Sequence, residues 1–187
     1  MIITPGTLAA LFTAFKAEFQ NAQAATPTDW ARIATSVPSS SASNTYGWLG
    51  QFPTFLEWIG ERVLKNMAAH SYSITNKKYE SSVGVPRDSI EDDEIGVFKP
   101  LFSEMGRAST AHPDELVFGL LKAGLTTLCY DGQFYFDTDH PVYPSTDGTG
   151  EAVSVSKYQV GTGPAWYLLY VSRAIKPIIF QNRRPYA

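Results

Sequence analysis

One stretch sets the scale of any fold this chain adopts. Residues 92–124, DDEIGVFKPLFSEMGRASTAHPDELVFGLLKAG, read as one long helix or as two helical pieces meeting at Pro113. Val97, Leu101, Met105 and Ala108 recur at spacings of three or four, as do Leu116, Leu120 and Leu121 further on. Pro100 fits a first turn capped by Gly96, where amides lack partners within the helix in any case. Pro113 deletes an interior backbone bond and crowds the preceding turn, so a kink or break is expected there. Asp114 and Glu115 would then suit the positive end of a second piece, and Gly124 is a natural stop. At about 1.5 Å of rise per residue, such a helix is comparable to the width of a small domain. It is expected to be a strut on which the rest of the chain leans.

Composition matters mainly for what it excludes. With 187 residues and a 44% hydrophobic share, the chain can build a real core as one large domain or one domain with extensions. A formal net charge of -3, with acids and bases interspersed, gives no general case for nucleic acid or an anionic membrane as partner. Cys129 is the single cysteine, so no intrachain disulfide forms and a reducing compartment is expected. The opening MIITPGTLAALF lacks the basic region and cleavage site of a secretory signal, and no window has the length of a membrane span. A soluble cytosolic protein is the expectation.

Taken in order, the chain begins with Thr4-Pro5, a helix opening with Thr4 as cap and Pro5 at the first helical position. Leu8, Leu11, Phe12, Phe15 and Phe19 form one apolar stripe, which serves either the chain's own core or a detachable arm on a neighbouring subunit. Residues 24–44 turn polar around a short apolar run, Ile33 to Val37, and suit an extended connector. Tyr46, Trp48, Phe52, Phe55 and Trp58 then fall among Gly47, Gly50, Pro53 and Gly60. Breakers at that density argue for hairpin-like backbone carrying large rings outward, and aromatic rings and arginine dominate protein interfaces. Residues 71–85 read as one or two strands, with Tyr79, Ser81, Val83 and Val85 on one face.

Beyond Gly124 the period shortens. Leu125 to Tyr130 and Gln133 to Phe136 read as strands around an Asp131-Gly132 turn. Pro141, Pro144 and Gly148 mark a long loop, Val153 and Val155 a weak strand, and Trp166 to Phe180 an apolar run in which Pro177 suits an edge or bulge. The fold class is α+β.

Chemistry is sparse. Asp137, Asp139 and His140 stand close enough in sequence to hold a divalent metal, which leaves a metal-dependent hydrolase as the alternative reading; the same residues before a proline are also plain turn chemistry. Cys129 with His112 or His140 lacks the local signature of a thiol nucleophile. No phosphate loop, GxSxG, HExxH or dinucleotide fingerprint occurs, so no catalytic residue, metal ligand or cofactor is assigned.

Ordered blocks along the chain carry a resemblance. Tyr46-Gly-Trp-Leu-Gly50, Phe52-Pro53, Glu57-Trp-Ile-Gly-Glu-Arg62, Tyr72-Ser-Ile-Thr-Asn-Lys77, Val83-Gly84, Arg87-Asp88 and Glu91-Asp-Asp93 open the series. Glu104-Met-Gly-Arg107, Pro113-Asp-Glu-Leu116, Cys129-Tyr-Asp-Gly-Gln133, His140-Pro-Val-Tyr-Pro144, Asp147-Gly-Thr-Gly150, Lys176-Pro177 and Phe180-Gln181 complete it. Together they resemble the major head (capsid) proteins of Mu-type tailed phages. That resemblance implies the Hong Kong-type capsid fold, with an N-terminal arm and connector over residues 1–45 and an extended loop over 46–88. It further implies a peripheral domain with a long spine helix over 89–150 and the start of an axial domain over 151–187. Members of the family continue past the position of Ala187, so the axial domain is only begun here.

The implied work is self-assembly as hexamers and pentamers of an icosahedral shell around double-stranded DNA, in the host cytoplasm and then in the virion. Implied partners are copies of the chain, scaffold and portal proteins, and DNA touched without sequence preference on the inner face. The residues expected at subunit contacts are Phe12, Phe15 and Phe19 on the arm and Trp48, Phe52, Trp58 and Arg62 in the extended loop. A cargo-enclosing shell protein of the host would share this fold.

Overall fold

The computed structural model describes residues 2–47, 57, 60, 72–92, 94–143 and 150–184. Along them the elements are α1 (Pro5–Ala25), α2 (Trp30–Ile33), β1 (Ala34–Pro38), β2 (Ser43–Tyr46), β3 (Tyr72–Thr75), α3 (Arg87–Glu91), α4 (Lys99–Lys122), β4 (His140–Val142), β5 (Val153–Val155) and β6 (Ile178–Asn182). A 3₁₀ turn at Glu94–Phe98 leads into α4 and another at Ala123–Leu125 leaves it. Helix and strand are thus mixed, with the strands in two-stranded pairs: β1 parallel to β6, β2 antiparallel to β3, and β4 antiparallel to β5.

The strut is real, and it is unbroken. α4 runs through Pro113, which is itself buried. An interior proline costs about 3 kcal/mol or more, yet here the turns on both sides pack against other elements and outweigh it. Pro100 does sit in the first turn, but the helix starts after Phe98 rather than from a Gly96 cap. Asp114 does not open a second helix. Its carboxylate accepts the Trp30 amide at 2.6 Å and the Asp29 amide at 3.1 Å, capping α2 across 84 and 85 positions of sequence.

Two separate cores hang on the two ends of α4. At its start, Leu11 and Phe15 of α1 and Ile90 of α3 are buried together with Phe98 and Phe102 beside them. At its end, Val117 and Leu121 pack with Ala34 of β1 and Ile178 of β6, flanked by Trp30, Phe136 and Phe180. Between the cores, α1 crosses α4 so closely that a Cβ on Gly106 would stand 2.3 Å from the Phe19 carbonyl oxygen. Gln23 Nε2 donates to Ser109 Oγ at 2.9 Å in the same seam. Thr4 caps α1 as expected, its side chain and that of Thr7 exchanging hydrogen bonds with each other's amides.

Elsewhere the pattern and the fold part company. The expected connector over 24–44 holds α2, β1 and the start of β2. Among the described residues 72–85 only Tyr72–Thr75 forms a strand; the alternating Tyr79–Val85 run pairs with no described strand, and Val85 packs on the first core instead. The Asp131-Gly132 turn is present, with Gly132 at φ +85, but it is closed by a single bridge between Leu128 and Phe134 rather than by two full strands. β4 occupies the start of what reads as a loop. Residues 156–177, most of the apolar run, contain no helix or strand.

Candidate subunit-contact surface

On α1 the three phenylalanines expected at contacts separate by burial. Phe15 is 4% exposed and stacks on Phe102, ring centroids 4.1 Å apart and planes 17° from parallel. Phe19 is half-buried where its carbonyl backs onto Gly106. Phe12 is 71% exposed. The helix therefore buries one edge of its stripe on α4 and presents the other.

Trp48, Phe52, Trp58 and Arg62 lie outside the described residues. The roots of their segment are described. β2 and β3 pair with Tyr46 opposite Tyr72 and Ser43 opposite Thr75, so the chain between them departs and returns on adjacent antiparallel strands. Tyr46 corrects the outward-facing expectation: it is 4% exposed, and its hydroxyl donates to Gln181 Oε1 at 2.6 Å. Gln181 Nε2 in turn donates to Asn76 Oδ1 at 2.8 Å and to the Ile74 carbonyl at 3.2 Å. Asn76 Nδ2 completes the web on Ser39 Oγ and the Ser41 carbonyl, at 2.9 and 2.8 Å. One glutamine on β6 thus bolts the hairpin stem to the β1–β6 pair, using both ends of its amide.

The metal triad suggested by sequence does not assemble. Asp137 accepts the amide of its own neighbour Thr138 at 2.8 Å, and Asp139 lies on the surface, 3.5 Å from Gln133 Nε2. Among the described residues the side chains that do converge are Cys129, Asp131 and His140. Asp131 sits between the other two, with Oδ1 2.8 Å from Cys129 Sγ and Oδ2 2.7 Å from His140 Nδ1. His140 is 1% exposed, and its Nε2 lies 3.2 Å from the Tyr135 carbonyl oxygen. Burial would raise the Asp131 carboxyl, but hydrogen bonds from Cys129, His140 and the Gln133 amide outweigh it and hold it below its usual value. Burial, and then the hydrogen bond to Asp131, push the Cys129 thiol up to about 11. A thiol that high is protonated and unreactive near neutrality, which removes the nucleophile reading. The sequence held a signal for this cluster, since Cys129 and Asp131 flank a tight turn, but their partner comes from the next strand.

Against this geometry stand the comparisons with known proteins. The family described as Mu-like prophage major head subunit gpT matches residues 8–187. The chain belongs to that family. It is 51% identical to the major capsid protein of Escherichia phage Mu over 187 residues, covering 98% of this chain and 61% of the Mu protein. It is 49% identical to the Mu-like prophage FluMu major head subunit of Haemophilus influenzae, covering 97% of this chain and 60% of that protein. The chain therefore spans about three fifths of the length of these relatives.

Solved structures agree. A chain of the bacteriophage JBD30 procapsid superposes with a TM-score of 0.83 at 59% identity, over 97% of this chain and 62% of that one. A chain of the JBD30 capsid gives 0.63 at 50% identity, over 99% and 59%. The family members and structural neighbours are named as capsid and head proteins, and none of this supports a metal-dependent hydrolase.

Proposed function

We propose that this chain is the shell-forming subunit, or the corresponding part of it, of a Mu-like phage or prophage head. The observations that carry the reading are the antiparallel β2–β3 stem, from which the chain between Tyr46 and Tyr72 leaves and to which it returns, and the 24-residue helix α4, which contributes to both cores. In the Hong Kong-type arrangement that the family implies, residues 46–88 are the extended loop and α4 is the spine of a peripheral domain over 89–150. Residues 1–45 are the N-terminal segment, and 151–187 begin the axial domain. Phe12 of the arm and Trp48, Phe52, Trp58 and Arg62 of the loop meet neighbouring subunits, while Phe15 and Phe19 hold α1 in place. Scaffold, portal and packaged DNA are the further partners, and assembly takes place in the host cytoplasm.

Such a shell needs many modest contacts rather than one strong one, since each 1.4 kcal/mol gives about a tenfold gain in affinity and several neighbours multiply it. The test is a chimera in which residues 1–187 replace the matched part of the Mu major capsid protein. Closed particles by electron microscopy are expected. Soluble chimera that stays monomeric at every concentration would overturn the proposal. Phe12→Asp in that chimera is expected to cut particle yield, with chain stability unchanged within about 0.5 kcal/mol, as for an exposed substitution.

A further inference from the structure

We propose that Cys129, Asp131 and His140 form a site for a borderline-soft divalent cation, with zinc the ion their chemistry fits. The three offer one sulfur, one carboxylate oxygen and one ring nitrogen, all within 4.8 Å of one another. That is the mixed donor set zinc takes in proteins, and it is a poor one for magnesium or calcium, which select oxygen alone.

The orientation of His140 is the second, independent reason. Nε2 lies 3.2 Å from the Tyr135 carbonyl oxygen, which can only accept, so the surroundings favour the tautomer with its hydrogen on Nε2. A backbone carbonyl at one ring nitrogen is the partner that fixes a metal-bound histidine in the tautomer whose other nitrogen is free to bind. Here that other nitrogen, Nδ1, points at Asp131 Oδ2 at 2.7 Å. The ring nitrogen and the carboxylate oxygen thus converge on one point, as two ligands of a shared ion do. Cys129 Sγ, half-buried and 2.8 Å from the other carboxylate oxygen, supplies the third ligand.

Backbone bonds preset the ligands. Cys129 N donates to the Gln133 carbonyl at 2.8 Å, and Gln133 N donates to Asp131 Oδ1 at 3.1 Å, so the turn holds thiol and carboxylate on one side. β4 brings His140 to them, paired with Val155 of β5. Metal–ligand bonds of about 2.0–2.3 Å around a tetrahedral ion part its ligands to roughly 3.5 Å, so the contacts of 2.7 and 2.8 Å open slightly on binding. On binding, the Cys129 proton and the proton of the His140–Asp131 hydrogen bond leave to solvent, and the thiolate, the ring nitrogen and the carboxylate join the ion; no oxidation state changes. The fourth position is left to water.

The experiment uses the full chain, stripped with a chelator and titrated separately with zinc, cobalt(II) and magnesium chloride. One equivalent of zinc is expected to bind, magnesium is not, and cobalt is expected to give the near-ultraviolet charge-transfer band of a thiolate ligand. Cys129→Ser should abolish that band and weaken zinc at least tenfold while leaving the far-ultraviolet circular dichroism intact. His140→Gln should also weaken zinc at least tenfold; if it fails to fold, Asp131→Asn serves as the second variant. No uptake of either transition metal, which would mean that a proton alone bridges Asp131 and His140, overturns the proposal. So does uptake that Cys129→Ser leaves unchanged.

Discussion

α4 and the segment 156–177 both carry large apolar side chains, and the chain treats them in opposite ways. The helix bonds its own backbone and has only a stripe to cover, which α1, β1 and β6 do at its two ends. The later segment has no regular structure, and in it Trp166 is 92% and Leu168 99% exposed, though Leu169 reaches the second core and Tyr167 lies 5.4 Å from the Phe136 ring. A helix can be finished by a few neighbours, whereas an extended strand needs partners for its backbone and cover for its faces. Stability in this chain is therefore concentrated, and truncations should be felt very unevenly.

The sharpest way to break that contrast is Phe15→Ala. If the α1–α4 seam is a true core, urea unfolding should show a loss of about 3–5 kcal/mol, the usual range for a buried aromatic. A loss below 1 kcal/mol would mean that α1 is only loosely held. Gly106→Ala should cost about 1–3 kcal/mol, as overpacking does, although alanine favours helix. The new methyl would run into the Phe19 carbonyl, so a stabilised variant would show that the helices separate freely. Asp114→Ala should lose about 0.5–2 kcal/mol through the cap of α2, with hydrogen exchange quickening at Asp29 and Trp30. At the other extreme, Leu168→Ser should change the unfolding free energy by no more than about 0.5 kcal/mol, while lowering light scattering of concentrated protein. A large destabilisation there would place Leu168 inside the fold and erase the contrast.

The sequence was most readable where one periodicity met one structure. The strut, the Thr4-Pro5 opening and the Asp131-Gly132 turn all follow from local chemistry. The failures share a cause. Pro113 signals a break by its own geometry, but packing on both sides of it decides the matter. The alternation from Tyr79 to Val85 is strand-like, yet a strand exists only where a second one pairs with it. Asp114 looked like the start of its own helix and is the cap of another. For the site, Asp137 and Asp139 are only sequence neighbours of His140, whereas a turn and a strand edge bring Cys129 and Asp131 to it in space. Tyr46 shows the same limit, since a ring among glycines can still be claimed by a distant glutamine.

The parallel pairing of β1 with β6 imposes a timetable on synthesis. Thr35 Oγ1 accepts the Lys176 amide, a partner 141 positions later, and Ala34 sits opposite Ile178 in the second core. A ribosome adding roughly 5–20 residues per second has completed α4 several seconds before Ile178 is made. During that interval α1 and α4 can already lie together and β1 is present, while Val117 and Leu121 still lack the cover of β6, not yet translated. The nascent chain is then a half-finished hairpin of helices with a sticky tip, the form in which a chaperone would meet it.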